Sequence, residues 1–135
     1  MPKVPLHAKT PSEAKPDILL VEDNIANIEL VRLFAGKDYE MDVAKDGVTS
    51  LDLVTRKQYD CILMDINLGP GMDGIDAITE IRKMPSYSTV PIIAVTGYTF
   101  RNEKDFIISK GANYYIEKPF SREQLLGILR EVIYE

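Results

Sequence analysis

Four short apolar runs in this 135-residue chain break off into residues able to handle charge or protons. Ile18 to Val21 runs into Glu22-Asp23, Cys61 to Met64 into Asp65, Ile92 to Val95 into Thr96, and Tyr115-Ile116 into Glu117-Lys118. Three carboxylates gathered in one crevice repel each other, so their pKa values rise unless a cation joins them. Mg²⁺ answers that need, since it takes oxygen ligands and binds through one or two carboxylates while keeping several waters. Asp23 and Asp65 are the candidate direct ligands, with Glu22 acting through water. A carboxylate can also attack a phosphoryl group and form an acyl phosphate, and Asp65 is placed for that role. The charge developing on the phosphoryl oxygens must then be neutralised, for which Lys118 offers an ammonium and Thr96 a hydroxyl. Taken singly, each residue has a plainer reading: Glu22-Asp23-Asn24 as a polar turn capping a helix, Lys118 as a surface lysine, Thr96 as an ordinary strand-end threonine. Their joint placement on separate strand ends carries the chemical reading.

The elements that must bring these residues together are short. From Asp17 onward apolar runs alternate with helical patterns, which predicts five strands and five helices in repeated βα units around a parallel sheet. Residues just past the carboxyl ends of such strands collect at one edge, where open α/β folds bind ligands. Ile18–Val21, Cys61–Met64 and Ile92–Val95 are apolar throughout, as strands covered on both faces should be, and belong in the centre. Tyr39–Val43 alternates apolar with acidic residues and Asn113–Glu117 is bounded by polar groups, so both suit edges. Second and fifth strands at the edges fit the order 2-1-3-4-5, which places a crevice between Glu22-Asp23 and Asp65 where the chain reverses direction across the sheet.

The helices have readable boundaries. The first follows Asn24, and the second runs from Gly47 through Val48, Leu51 and Val54. Asp73 caps a third helix carrying Ile75, Ile78 and Ile81, which should end before Pro85. The fourth, around Phe100 to Lys110, is the weakest, because Ile107, Ile108 and Ser109 have modest helix propensity. The fifth carries Leu125, Ile128, Leu129 and Val132 on one face, with Ser121 and Gln124 as a capping box and Phe120 as a staple onto Leu125. Phe100, Phe106 and Phe120 read as core or helix-packing residues, Tyr87 and Tyr98 as loop aromatics, and Cys61 as a small buried apolar residue.

Composition narrows the functional classes. With 45% hydrophobic and 27% charged residues the chain fits one compact domain with a real core. Residues 1–16, with four prolines among Lys, Thr and Ser, read as a flexible leader or linker to a domain spanning 17–135. A net charge of −5 with scattered Lys and Arg argues against nucleic-acid binding. One cysteine excludes an internal disulfide and suits a reducing, cytoplasmic setting. The apolar runs are strand-sized and the N-terminus lacks the apolar core of a signal peptide, so no membrane insertion is expected. His7, in the proline-containing leader, has no neighbouring ligands and reads as a solvated residue.

The chain resembles the receiver domains of two-component response regulators over essentially all of Asp17 to Glu135. The resemblance rests on the acidic pair in Leu20-Val21-Glu22-Asp23-Asn24, on Met64-Asp65-Ile66, on the helix-leading Met72-Asp73-Gly74, on Thr96, and on Lys118-Pro119. It implies a flavodoxin-like doubly wound (βα)5 fold and a switch phosphorylated on Asp65 by a histidine kinase or histidine phosphotransfer domain. It also implies Mg²⁺ held by Asp23, Asp65, Glu22 and the backbone carbonyl of Asn67. Thr96 and Tyr115 become the switch pair, the Lys118-Pro119 bond is expected to be cis, and Asn67 and Tyr98 are linked to the lifetime of the acyl phosphate.

Two departures from the family pattern stand out. The segment Leu68-Gly69-Pro70-Gly71-Met72-Asp73-Gly74 is one residue longer than usual, and Gly97 replaces the common alanine after the switch threonine. Three competing functions are weaker. A flavin-type phosphate site would meet repulsion from Glu22-Asp23. An aspartate-nucleophile phosphohydrolase would carry an acid where Asn67 stands. A receiver-like module regulated without phosphorylation would not need the acid, threonine and lysine set. The chain ends with the fifth helix, so an output through partner contacts is expected, either as a free-standing regulator or as the receiver of a hybrid kinase.

Overall fold

Strands that are apolar at every position need cover on both faces, and β1 (Asp17–Val21), β3 (Cys61–Asp65) and β4 (Ile92–Thr96) are buried along their whole length. The structure, a computed structural model, describes residues 15–97 and 103–134. The two partly exposed strands, β2 (Glu40–Ala44) and β5 (Tyr114–Glu117), lie at the edges. All four pairings are parallel and the order is β2-β1-β3-β4-β5, as the apolar patterns predict. Between the strands run α1 (Ile25–Ala35), α2 (Gly47–Arg56), α3 (Gly74–Arg82), α4 (Glu103–Ser109) and α5 (Arg122–Tyr134), with a 3₁₀ turn at Pro85–Tyr87. No helix among the described residues is long and apolar enough to cross a membrane.

Because successive strand side chains point to opposite faces, the sheet divides the interior in two. Leu19, Val21, Ile62, Met64, Ile92 and Ala94 face α2, α3 and α4. Ile18, Leu20, Cys61, Leu63, Ile93 and Val95 face α1 and α5. Burial raises the Cys61 thiol well above its usual pKa, in keeping with a small apolar residue.

The caps form where side-chain oxygens precede helices. Asn24, Asp46 and Asp73 accept from the backbone N–H groups of Asn27, Thr49 and Asp76 at 3.0, 2.7 and 2.8 Å. Such caps contribute about 1 kcal/mol each. The capping box of α5 closes both ways: Gln124 N donates to Ser121 Oγ at 3.0 Å and Ser121 N to Gln124 Oε1 at 2.8 Å. Phe120 packs into the same cluster as Leu125 and meets Phe34 edge-on at 6.4 Å between ring centroids.

Some expectations need correction. Tyr87 is fully buried. Its hydroxyl accepts from Tyr59 N at 2.9 Å and donates to Lys57 O, which ties the 3₁₀ turn to the segment leading into β3. Phe106 is half exposed, because the buried residue of α4 is its neighbour Ile107. In α2 the inward stripe is Gly47, Ser50 and Val54, which leaves Val48 outside. Phe100, at the expected start of α4, lies outside the described residues.

Candidate functional site

The parallel ladder continues past the strand ends and fixes the residues that follow them. Glu22 N donates to Ala44 O, Ile66 N to Val95 O and Lys118 N to Thr96 O, at 2.9, 2.9 and 2.7 Å. These bonds hold the main chain of Glu22 beside β2, of Ile66 beside β4 and of Lys118 beside Thr96. The carboxylates of Glu22, Asp23 and Asp65 converge, each offering an oxygen within 4.8 Å of the others. Glu22 and Asp65 are buried and Asp23 is exposed, so the cluster opens to solvent on the Asp23 side. Lys118 reaches across from the end of β5, with Nζ 3.0 Å from Glu22 Oε1 and 3.4 Å from Asp65 Oδ2. The Lys118-Pro119 bond is cis.

The electrostatics separates the two buried acids. Burial and the adjacent Glu22 push the Asp65 pKa up to about 6. Burial also works against an ionised Glu22, but its hydrogen bonds with Asp65, Lys118 and the Asn24 N–H together hold it below the usual range. Glu22 is therefore the ionised partner of the lysine, and Asp65 carries the cost of crowding. Asp65 is still oriented: its Oδ1 accepts from the backbone N–H of Asn67 at 3.0 Å. Among the expected sites, Thr96 is fully buried at the end of β4, one step past the Asp65↔Val95 register pair. Tyr115 is half-buried on β5 with Lys104 Nζ 4.4 Å from its ring centroid. Tyr98 lies outside the described residues.

Two glycines near the site carry roles that motif reading alone does not reveal. A Cβ on Gly69 would stand 3.2 Å from Asp23 Oδ2, so the missing side chain leaves room over that carboxylate. A Cβ on Gly74 would stand 2.1 Å from the Asp65 carbonyl oxygen and 2.8 Å from Ile66 Cα. The start of α3 therefore rests directly on the backbone of Asp65, held by Gly74 N donating to Ile66 O at 3.2 Å. Between them the loop turns through Gly71 at φ 101°, a conformation that favours glycine. The Asp-Gly pair at a predicted helix start was the available signal for Gly74, while nothing local marks Gly69.

A site built only of oxygen donors, with room over its exposed carboxylate and one ammonium in reach, suits a hard divalent cation and a phosphoryl group. Sequence and structure comparisons point the same way. Residues 18–130 match the family model described as the response regulator receiver domain. The chain is 34% identical over 122 residues to the sensor protein GacS of Pseudomonas syringae pv. syringae, a match covering 87% of this chain and 13% of that protein. It is 40% identical over 110 residues to the autoinducer 2 sensor kinase/phosphatase LuxQ of Vibrio harveyi, covering 80% of this chain and 12% of that one. The chain thus spans only a small part of these relatives. The solved receiver domain of sensor histidine kinase PA1611 from Pseudomonas aeruginosa, described with a magnesium ion coordinated in its active site cleft, superposes with a TM-score of 0.82 at 36% identity, covering 89% of this chain and 98% of that one. Vibrio cholerae chemotaxis protein CheY4 gives a TM-score of 0.83 at 30% identity over 88% of this chain and 99% of that one.

Proposed function

Because the chain belongs to the response regulator receiver domain family, we propose that Asp65 accepts a phosphoryl group from a phosphohistidine and that the acyl phosphate resets the domain's partner contacts. The observation that carries this reading is the placement of Lys118 Nζ between the buried carboxylates of Glu22 and Asp65, in an all-oxygen cluster whose third carboxylate, Asp23, is exposed. An Asp65 carboxylate oxygen bonds to phosphorus as the phosphorus–nitrogen bond breaks, and the electron pair returns to the imidazole. Lys118 leaves its shared position to pair with the phosphoryl oxygens, and the Thr96 hydroxyl donates to another. Asp23, Asp65, the Asn67 carbonyl and, through water, Glu22 are the groups that would hold Mg²⁺, whose chemistry when bound is neutralisation of phosphoryl charge.

Thr96 and Tyr115 form the switch: the hydroxyl moves toward the phosphoryl group and the half-buried ring turns into the space released. Asn67 and Tyr98 set how fast water regains access. The domain thereby promotes its own phosphoryl transfer and loss, in the cytoplasm, with a histidine kinase or histidine phosphotransfer domain as donor.

Incubation with Mg²⁺ and acetyl phosphate or phosphoramidate, followed by intact mass measurement, tests the reading. A phosphate-sized mass increase in the wild type, absent from Asp65→Asn, is expected. Adduct formation that survives in Asp65→Asn, or no adduct with small donors and histidine kinases alike, would overturn it. Steady phosphate release from unrelated monoesters would favour a hydrolase instead.

A further inference from the structure

A cavity of about 290 Å³ opens on the α1–α5 side of the sheet, beside the carboxylate cluster. Leu20, Leu63 and Val95 from the three central strands form its floor, and Val31, Phe120 and Leu125 its sides. Leu30 and Pro119 line it while reaching solvent, which places the mouth between α1 and the turn from β5 into α5. Five of these six floor and side residues are buried. The hollow therefore belongs to the packed core and is not a surface dimple. Apolar cavities of only about 150 Å³ stay dry and take up benzene or xenon, and binding pockets are mostly apolar with a few polar groups that orient the ligand.

The polar part of the lining is Glu22, Asn27 and Lys118, and its commitments decide the ligand's charge. Glu22 accepts from Asn24 N and from Lys118, and Lys118 is shared between Glu22 and Asp65. One ammonium already serves two carboxylates, so an anionic ligand would meet repulsion with no uncommitted cation in the lining. The Asn27 side chain has no hydrogen bond among the described residues, since its contact with Asn24 is through its backbone. We propose that this cavity binds a neutral molecule of one or two rings carrying a single N–H or O–H group, which Asn27 accepts. The rings pack on the leucine and valine floor and against the aliphatic stem of Lys118. Binding itself is independent of the Asp65 assignment; only an effect on phosphorylation would rest on it.

Indole is the probe, titrated into the full chain and followed by amide nitrogen–proton NMR. Saturable shifts centred on Leu20, Val31, Leu63 and Leu125 are expected, unchanged in Asp65→Asn. Benzofuran, which has the same shape without the N–H, should bind about fivefold more weakly, the worth of one hydrogen bond near 1 kcal/mol. Leu30→Trp across the mouth and Val31→Phe within the cavity should each weaken indole by about tenfold or more while retaining wild-type helix content. Indole-2-carboxylate should bind more weakly than indole. Absence of saturable shifts at millimolar indole would overturn the proposal, as would indole affinity unmoved by whichever filling variant folds, or tighter binding of the carboxylate. Loss of phosphorylation with indole binding intact would count against the Asp65 reading alone.

Discussion

Adding one methyl group at Gly74 and at Gly127 should change stability in opposite directions. Neither glycine has a positive φ, so backbone conformation does not require glycine at either place. At Gly127, exposed within α5, an added Cβ meets no heavy atom within 4 Å outside its own helix. Helix propensity then dominates, and Gly127→Ala should stabilise by about 0.5–1 kcal/mol. At Gly74 the same methyl would stand 2.1 Å from the Asp65 carbonyl oxygen and 2.9 Å from its carbonyl carbon. Those are backbone atoms within a ladder-bonded segment, so relief must come from moving α3 outward and weakening the Gly74 N to Ile66 O bond. Overpacking of this kind costs about 1–3 kcal/mol. The helix-propensity gain at the first position offsets part of it, leaving a net loss of about 1–2 kcal/mol and a melting temperature lower by roughly 5–10 °C. Urea unfolding of both variants, with the Asp65 and Ile66 amide resonances as local reporters, measures the contrast. The close packing of α3 on Asp65 is refuted if Gly74→Ala is as stable as the wild type with those two amides unmoved.

Three further outcomes follow from the polar contacts. Asp65→Asn, in chelator, should stabilise the fold by about 1–2 kcal/mol at pH 7, since the wild type there holds a crowded buried carboxylate. The folded-state pKa is raised to about 6, so the advantage should shrink as pH falls from 6 toward 4, and pH-dependent unfolding of both proteins checks the sign. Tyr59→Phe removes the 2.7 Å donation to Asp42, the main cause of that acid's lowered pKa. It should cost about 1–2 kcal/mol at neutral pH, with the difference lost as acid protonates Asp42. Arg82→Ala strips four donations, to the carbonyls of Gly111, Tyr87 and Val90 and to Asn113 Oδ1. A loss of about 2–4 kcal/mol in urea unfolding is expected, only partly recovered in Arg82→Lys, because an ammonium cannot reproduce the fork of the guanidinium.

Local pattern made the strands, their order and most of the cluster legible. Uninterrupted apolar runs distinguish central strands from edges, and Asn24, Asp73 and Ser121 lie where caps are needed. Once the strands are ordered, Glu22, Asp23, Asp65 and Lys118 have to meet at one edge. What escaped depends on contacts distant in sequence. Tyr87 is buried because its hydroxyl serves Tyr59 and Lys57, about 30 residues away. Lys57 joins Asp17 and Asp42 at 3.2 Å each, and Asp60 accepts from Asp17 N at 2.7 Å, a network that composition reads only as charge. Nor does local pattern show that Gly47 of α2 is needed inside: its missing side chain admits Met72, whose atoms lie 2.9–3.1 Å from a Cβ built there.

The division of the interior by the sheet has a thermodynamic consequence. Ile93 and Ala94 are adjacent in the chain, yet one belongs with Leu129 and the other with Ile78. Residues that share no partners contribute additively to stability, whereas residues sharing a packed environment couple. Sequence distance is therefore a poor guide to energetic kinship in this fold. A repacking at α5 is felt by alternate residues of every central strand and passes over the ones between, so variation in one half-core can accumulate while the other keeps its own set of compatible side chains.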